Sequence, residues 1–162
     1  ISADDIKNKN LLDVQAAVLS YGGYNLYSPA LKGIFETRKN PFWTFALSKP
    51  RGIFGNNFNA QENPEMYKAI SPFYNIPNVD ERKLPPQFIT SASEDRVTPV
   101  HAIEEYVKAL KDAGQEVTYW EYKDQRHAYL DSGKTFLSGN DFKRDAIPAL
   151  KKIMNFLNSK LL

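Results

Sequence analysis

The chain has 162 residues, the size of one ordinary domain, and its 42% hydrophobic and 25% charged content excludes a disordered or low-complexity protein. Its 21 Lys and Arg against 19 Asp and Glu leave a net charge of +2, too balanced for a nucleic-acid binder, and no apolar run reaches the roughly 18 residues of a membrane span. There is no Cys, hence no disulfide, thiolate metal site or thiol nucleophile, and with only two His a conventional zinc site is not expected.

Residues 1–10 are polar and are expected to fray. The apolar run from Val14 to Tyr21, closed by Gly22-Gly23, predicts a buried strand. Ser28-Pro29 reads as a helix start, with Leu31, Ile34 and Phe35 as its apolar face and Asn40-Pro41 as its end. The stretch from Phe42 to Asn59, with Phe42, Trp43, Phe45, Phe54 and Phe58, predicts a loop-and-helix insertion whose aromatics pack that insertion rather than line a pocket. A short helix from Asn63-Pro64-Glu65 should end by Ser71-Pro72, and the proline-rich residues 71–86 read as an extended connection.

The second strand is Gln87–Ala92. Thr98-Pro99 then reads as an N-cap and first helical residue, with Val100, Ile103, Val107 and Leu110 as the stripe and Gly114 at C′. Val117–Tyr122, β-branched and aromatic, is the third strand. A terminal helix follows, with Asp145 as its expected cap, Pro148 in its first turn, and a stripe of Ile147, Leu150, Ile153, Met154, Leu157 and Leu161. Strands alternating with helices predict an α/β protein with a parallel sheet, whose chemistry sits beyond the carboxyl ends of the strands.

Two loops occupy those ends. Asp95 falls between the second strand and the next helix, where free backbone donors stabilise an anion. His127 lies in the loop after the third strand. An Asp and a His from adjacent strand ends can meet, the Asp fixing the tautomer of the imidazole and stabilising its charged form. The bland alternatives are a capping Asp and a surface His. His101, in the first turn of a helix, is expected to face water, whereas Tyr129 and Asp131 lie close enough to His127 to touch a substrate.

In order and spacing these segments resemble the C-terminal part of an α/β-hydrolase of the esterase/lipase type, in the hormone-sensitive-lipase-like group. Residues 13–21 resemble the strand after the nucleophile helix. Ile70-Ser71-Pro72 and Leu84-Pro85-Pro86-Gln87-Phe88-Ile89 resemble that group's lead into the next strand. Residues 93–99 resemble its acid loop, residues 107–114 the helix before the last strand, and Arg126-His127-Ala128-Tyr129 its histidine loop. The resemblance implies Asp95 as triad acid and His127 as triad base. It divides the chain into a strand region at 11–23, a cap-like insertion at 28–71, and the acid loop, histidine loop and terminal helix at 84–162.

Two departures stand out. Ala128 occupies a position where the family usually has Gly. No G-x-S-x-G occurs anywhere, so the nucleophile elbow is absent, as is the HGGG-type loop that contributes to the oxyanion hole. The resemblance therefore implies a serine hydrolase of carboxylic esters seen without its nucleophile half, inactive alone. Its partners would be the N-terminal portion of the same hydrolase, or a self-association covering the open edge of the first strand, and a small ester substrate; no cofactor is implied. A prolyl-oligopeptidase-type serine peptidase is the alternative within this class. A non-catalytic α/β module binding a ligand or partner is the alternative outside it. Compartment is left open by the sequence.

Overall fold

A computed structural model describes residues 14–28, 53–55, 58–131 and 139–162. Its centre is a three-stranded parallel sheet in the order β1 (Ala17–Ser20), β2 (Gln87–Ala92), β3 (Val117–Tyr122). Ala17 stands opposite Gln87, and Gln87 opposite Val117, so all three strands run in step to the same end. Among the described residues, β1 and β3 each lack a partner on their outer edge.

The middle strand is buried along its whole length. Its alternating side chains serve two faces. Ile89 faces α2 (Val100–Asp112) and packs with Ile103, Val107 and Leu110, joined by Tyr24 stacked on Tyr106 at 4.2 Å. Phe88 faces α3 (Ile147–Leu161) and packs with Ile153 and Phe156, the two phenyl rings 5.3 Å apart. The result is one helix on each face of the sheet, the parallel α/β arrangement expected from the alternation of elements.

α1 (Pro64–Ile70) and a 3₁₀ turn (Pro72–Asn75) lead into an irregular segment ahead of β2. That segment is held by one buried side chain. Gln115 accepts from the Leu84 amide through Oε1 and donates through Nε2 to the carbonyls of Pro77 and Arg82, all at 2.9 Å.

Several sequence expectations change in detail. Thr98 does not cap α2: Pro99 occupies the N-cap position, and the Thr98 hydroxyl points to Asp95. Asp145 does not cap α3 either. Asp141 does that work at the start of a π-helical turn (Phe142–Ala146), accepting from the amides of Lys143 and Arg144, while Asp145 is buried and paired with Arg144 at 2.6 Å. Of the expected stripe of α3 only Ile153 is buried, with Leu157 half-buried; Ile147, Leu150, Met154 and Leu161 are exposed, and the face on the sheet is instead Ala149, Ile153 and Phe156. The helix has one face on the sheet, and a stripe wider than that face cannot be buried by it. The expected fraying of residues 1–10, the helix after Ser28-Pro29, and Phe42, Trp43 and Phe45 lie outside the described residues. Phe54 packs edge-on to Tyr67 at 5.2 Å, as a structural aromatic would.

Gly114 ends α2 as expected, at φ +73, and a Cβ there would meet Val79 Cγ1 at 2.7 Å. Gly114→Ala should therefore destabilise the fold by about 1–3 kcal/mol, through left-handed strain and the clash together. Urea denaturation checks this, and an unchanged midpoint would contradict it.

Candidate active site

The strands end in step, so the loops after β2 and β3 emerge side by side. They are stitched together by backbone. The Ser93 amide donates to the Tyr122 carbonyl at 3.0 Å, the Glu94 amide to the Gln125 carbonyl at 2.8 Å, and the Asp124 amide to Ser93 Oγ at 2.8 Å. This frame brings Asp95 and His127 into contact, with Oδ2 of the acid 2.8 Å from Nδ1 of the imidazole.

The Asp95 carboxylate is saturated. Oδ1 accepts from the amides of Val97 at 2.7 Å and Thr98 at 2.9 Å; Oδ2 accepts from Thr98 Oγ1 and from His127, each at 2.8 Å. A carboxylate has about four lone-pair sites, and all are used. Its side chain is fully buried. Burial pushes its pKa upward, but the hydrogen bonds from His127, Thr98 and Val97 outweigh that and hold it below the ordinary 3.8. Asp95 is therefore an anion, and an anion accepts only. The Nδ1 of His127 must then carry its proton, which leaves the lone pair of the neutral ring on Nε2.

The histidine side chain is partly exposed, at 32%. Among the described residues, Nε2 has no hydrogen-bond partner. The loop is secured by Asn140, whose Nδ2 donates to the His127 carbonyl at 2.7 Å. Ala128 has φ 62, in the left-handed region. A Gly would adopt that conformation without strain, so the backbone explains why this site favours Gly and what Ala128 costs, about 1 kcal/mol.

Among the described residues, no other carboxylate is hydrogen-bonded to the imidazole. Glu94 pairs with Arg126 at 3.4 Å, and Asp124, at φ 57, turns the chain out of β3. His101 is exposed on α2, as expected. Tyr129 is not at the surface, contrary to expectation. It is fully buried, its hydroxyl bonded to Thr90, and burial pushes its pKa up to about 12. Its role is packing beneath the site; Asp131 is exposed. Thr98, Asn140 and Tyr21 were not singled out from sequence as site residues. Thr98 acts through its amide and hydroxyl on the carboxylate, Asn140 through its side-chain amide on a backbone carbonyl, and Tyr21 through its ring edge, pairings that leave no motif.

The profile of the prolyl oligopeptidase family matches residues 43–161, more than half of the chain and both loops. The chain belongs to the prolyl oligopeptidase family. Its members are serine hydrolases, and this is the type kept above as the alternative within the class. The likeness to esterases holds at the level of the shared α/β-hydrolase fold and goes no further toward the hormone-sensitive-lipase-like group.

Among solved structures, the chain is similar to an acylaminoacyl peptidase of Pyrococcus horikoshii (TM-score 0.61, 21% identity, covering 91% of this chain and 20% of that one). It is also similar to a puromycin-hydrolyzing peptidase of Mycobacterium tuberculosis (TM-score 0.60, 18% identity, 91% and 19%) and to esterase 2 of Thermogutta terrifontis (TM-score 0.51, 16% identity, 88% and 40%). The chain thus spans a fifth to two-fifths of these proteins. No curated protein matches it. Among the described residues, no helix is long and apolar enough to cross a membrane, and no group of three potential metal ligands converges.

Because the Asp95 pKa is lowered in the fold, its anion stabilises the protein above the unfolded value near 3.8, and that contribution is lost as pH falls through the lower folded value. Asp95→Asn should therefore cost stability at pH 7, by about 1–3 kcal/mol. The gap from the parent chain should narrow below about pH 4. Urea titrations across pH measure it, and a gap independent of pH would show that the charge is not the source.

Proposed function

We propose that Asp95 and His127 are the acid and base of a serine-hydrolase triad that works by acyl transfer. The observation that carries this reading is the 2.8 Å Nδ1–Oδ2 contact between a saturated, buried carboxylate and an imidazole whose Nε2 is left unpartnered among the described residues. Nε2 is the atom that would take a proton from a serine hydroxyl as it attacks a carbonyl. It would return that proton to the leaving group, with Asp95 stabilising the imidazolium in between.

No G-x-S-x-G is present in the sequence, so the serine and the oxyanion donors are proposed to come from a nucleophile-bearing portion of the same hydrolase docked beside β1. The chain alone is then inactive: a base without a hydroxyl to deprotonate performs no acylation. The family membership supports a peptide bond as the substrate. Hydrolysis of a carboxylic ester is the second reading, supported by the likeness in fold to an esterase.

In the complete enzyme, His127→Ala should lower kcat/KM on the order of 10⁴-fold, and Asp95→Asn by a comparable factor, with folding retained. A loss under about tenfold for His127→Ala would remove it from the mechanism. Glu94→Gln or Asp124→Asn proving more damaging than Asp95→Asn would move the acid elsewhere.

Intact-mass analysis with a fluorophosphonate tests the nucleophile. The label should appear on the nucleophile-bearing portion and never on this chain. Comparing kcat/KM for a peptide anilide and a p-nitrophenyl ester decides between the two substrates.

A further inference from the structure

Tyr21 is the first residue after β1, and its backbone is held at φ 39, in the left-handed region. For a bulky L-residue that conformation is strained, and such strain persists only where the surroundings fix it. A glycine would carry it freely. Gly22 follows immediately but is required where it stands, because a Cβ there would lie 2.7 Å from the Tyr24 hydroxyl. The chain thus places a tyrosine where a turn alone would favour glycine, and what the side chain does has to outweigh the strain.

Every part of Tyr21 reaches one of the two loops or the strand between them. Its amide donates to the Thr90 carbonyl at 2.9 Å. Its carbonyl lies 3.1 Å from Thr98 Oγ1, sharing in a bifurcated bond the one hydroxyl proton that Asp95 Oδ2 meets at 2.8 Å, and that oxygen is 3.4 Å from His127 Nδ1. Its ring stands edge-on to the imidazole of His127 at 5.0 Å and to the ring of Tyr129 at 5.1 Å. Asp95 constrains the imidazole only at Nδ1, about which the ring remains free to swing. An aromatic edge against the ring removes that freedom.

We propose that Tyr21 is a positioning residue that clamps the His127 imidazole between β1 and the acid loop, so that Nδ1 stays on Asp95 while Nε2 faces the reacting groups. This rests on the triad reading for its purpose, but not for its test. Tyr21 touches the base through its ring and the acid through Thr98, so it governs two groups on two different loops from a third strand end.

The test is imidazole ¹⁵N NMR of His127 in the full chain, with thermal melts alongside. The parent chain should show a single Nδ1-protonated tautomer with a slowly exchanging Nδ1–H. Tyr21→Phe keeps the ring and should retain that signature. Tyr21→Leu keeps the bulk but loses the aromatic edge; the Nδ1–H signal should broaden or vanish and the Nε2-protonated tautomer should appear. Tyr129→Phe is the structural control and should lower the melting temperature without changing the His127 spectrum.

An unchanged His127 spectrum in Tyr21→Leu would overturn the proposal, as would the same spectral loss in Tyr129→Phe. Neither result depends on turnover. Failure of the triad reading, seen as an active His127→Ala enzyme, is thereby told apart from failure of the clamp.

Discussion

A buried carboxylate has to be saturated with donors or lose its charge, and the loop ends of this protein are arranged around that requirement. Asp95 collects two amides, one hydroxyl and one imidazole. The two amides bend residues 95–98 into the turn that delivers the chain to Pro99 and α2. The hydroxyl ties the loop back to the end of β1 through the Tyr21 carbonyl. The imidazole fixes the loop after β3. One anion thereby organises all three strand ends. The sheet makes this possible, because parallel strands in register lie about 4.8 Å apart and present neighbouring loops at the reach of one short side chain.

Much of the architecture was legible because each element carried a strong local signal. Gln87–Ala92 and Val117–Tyr122 are apolar or β-branched runs with clear stops, and the structure places strands over the same residues. Gly114 marked the end of α2 through its φ. The pairing of Asp95 with His127 followed from topology: both sit at carboxyl ends of consecutive parallel strands, a place where side chains converge whatever the sequence between them.

What escaped the sequence was decided by competition between neighbours. Thr98 and Asp145 are ordinary capping residues by type, yet each has a stronger claimant nearby, an anion for Thr98 and Arg144 for Asp145. Tyr129 beside a histidine reads as a surface residue until Ala128, turning at positive φ, sends it inward beneath the sheet end. The apolar positions of α3 outnumber those one sheet face can cover, and a helical stripe alone does not say which of its residues win. None of these outcomes is a matter of propensity. Each depends on which neighbouring group the side chain meets once the chain has turned.

The irregular segment ahead of β2 has a property of its own. Gln115 spans residues 77, 82 and 84 with one amide group, and the Val79 amide donates to the Ala113 carbonyl at 2.9 Å, beside the same helix end. The connection, the end of α2 and the entry to β2 thus share their fastenings, since the Gln87 amide also bonds to Glu116. Loss of the Gln115 side-chain contacts frees the Leu84 amide and the Pro77 and Arg82 carbonyls together. The segment lacks regular secondary structure but is fastened to the end of α2, so the Leu84 amide should exchange with solvent on the timescale of the neighbouring helix end rather than that of a surface loop.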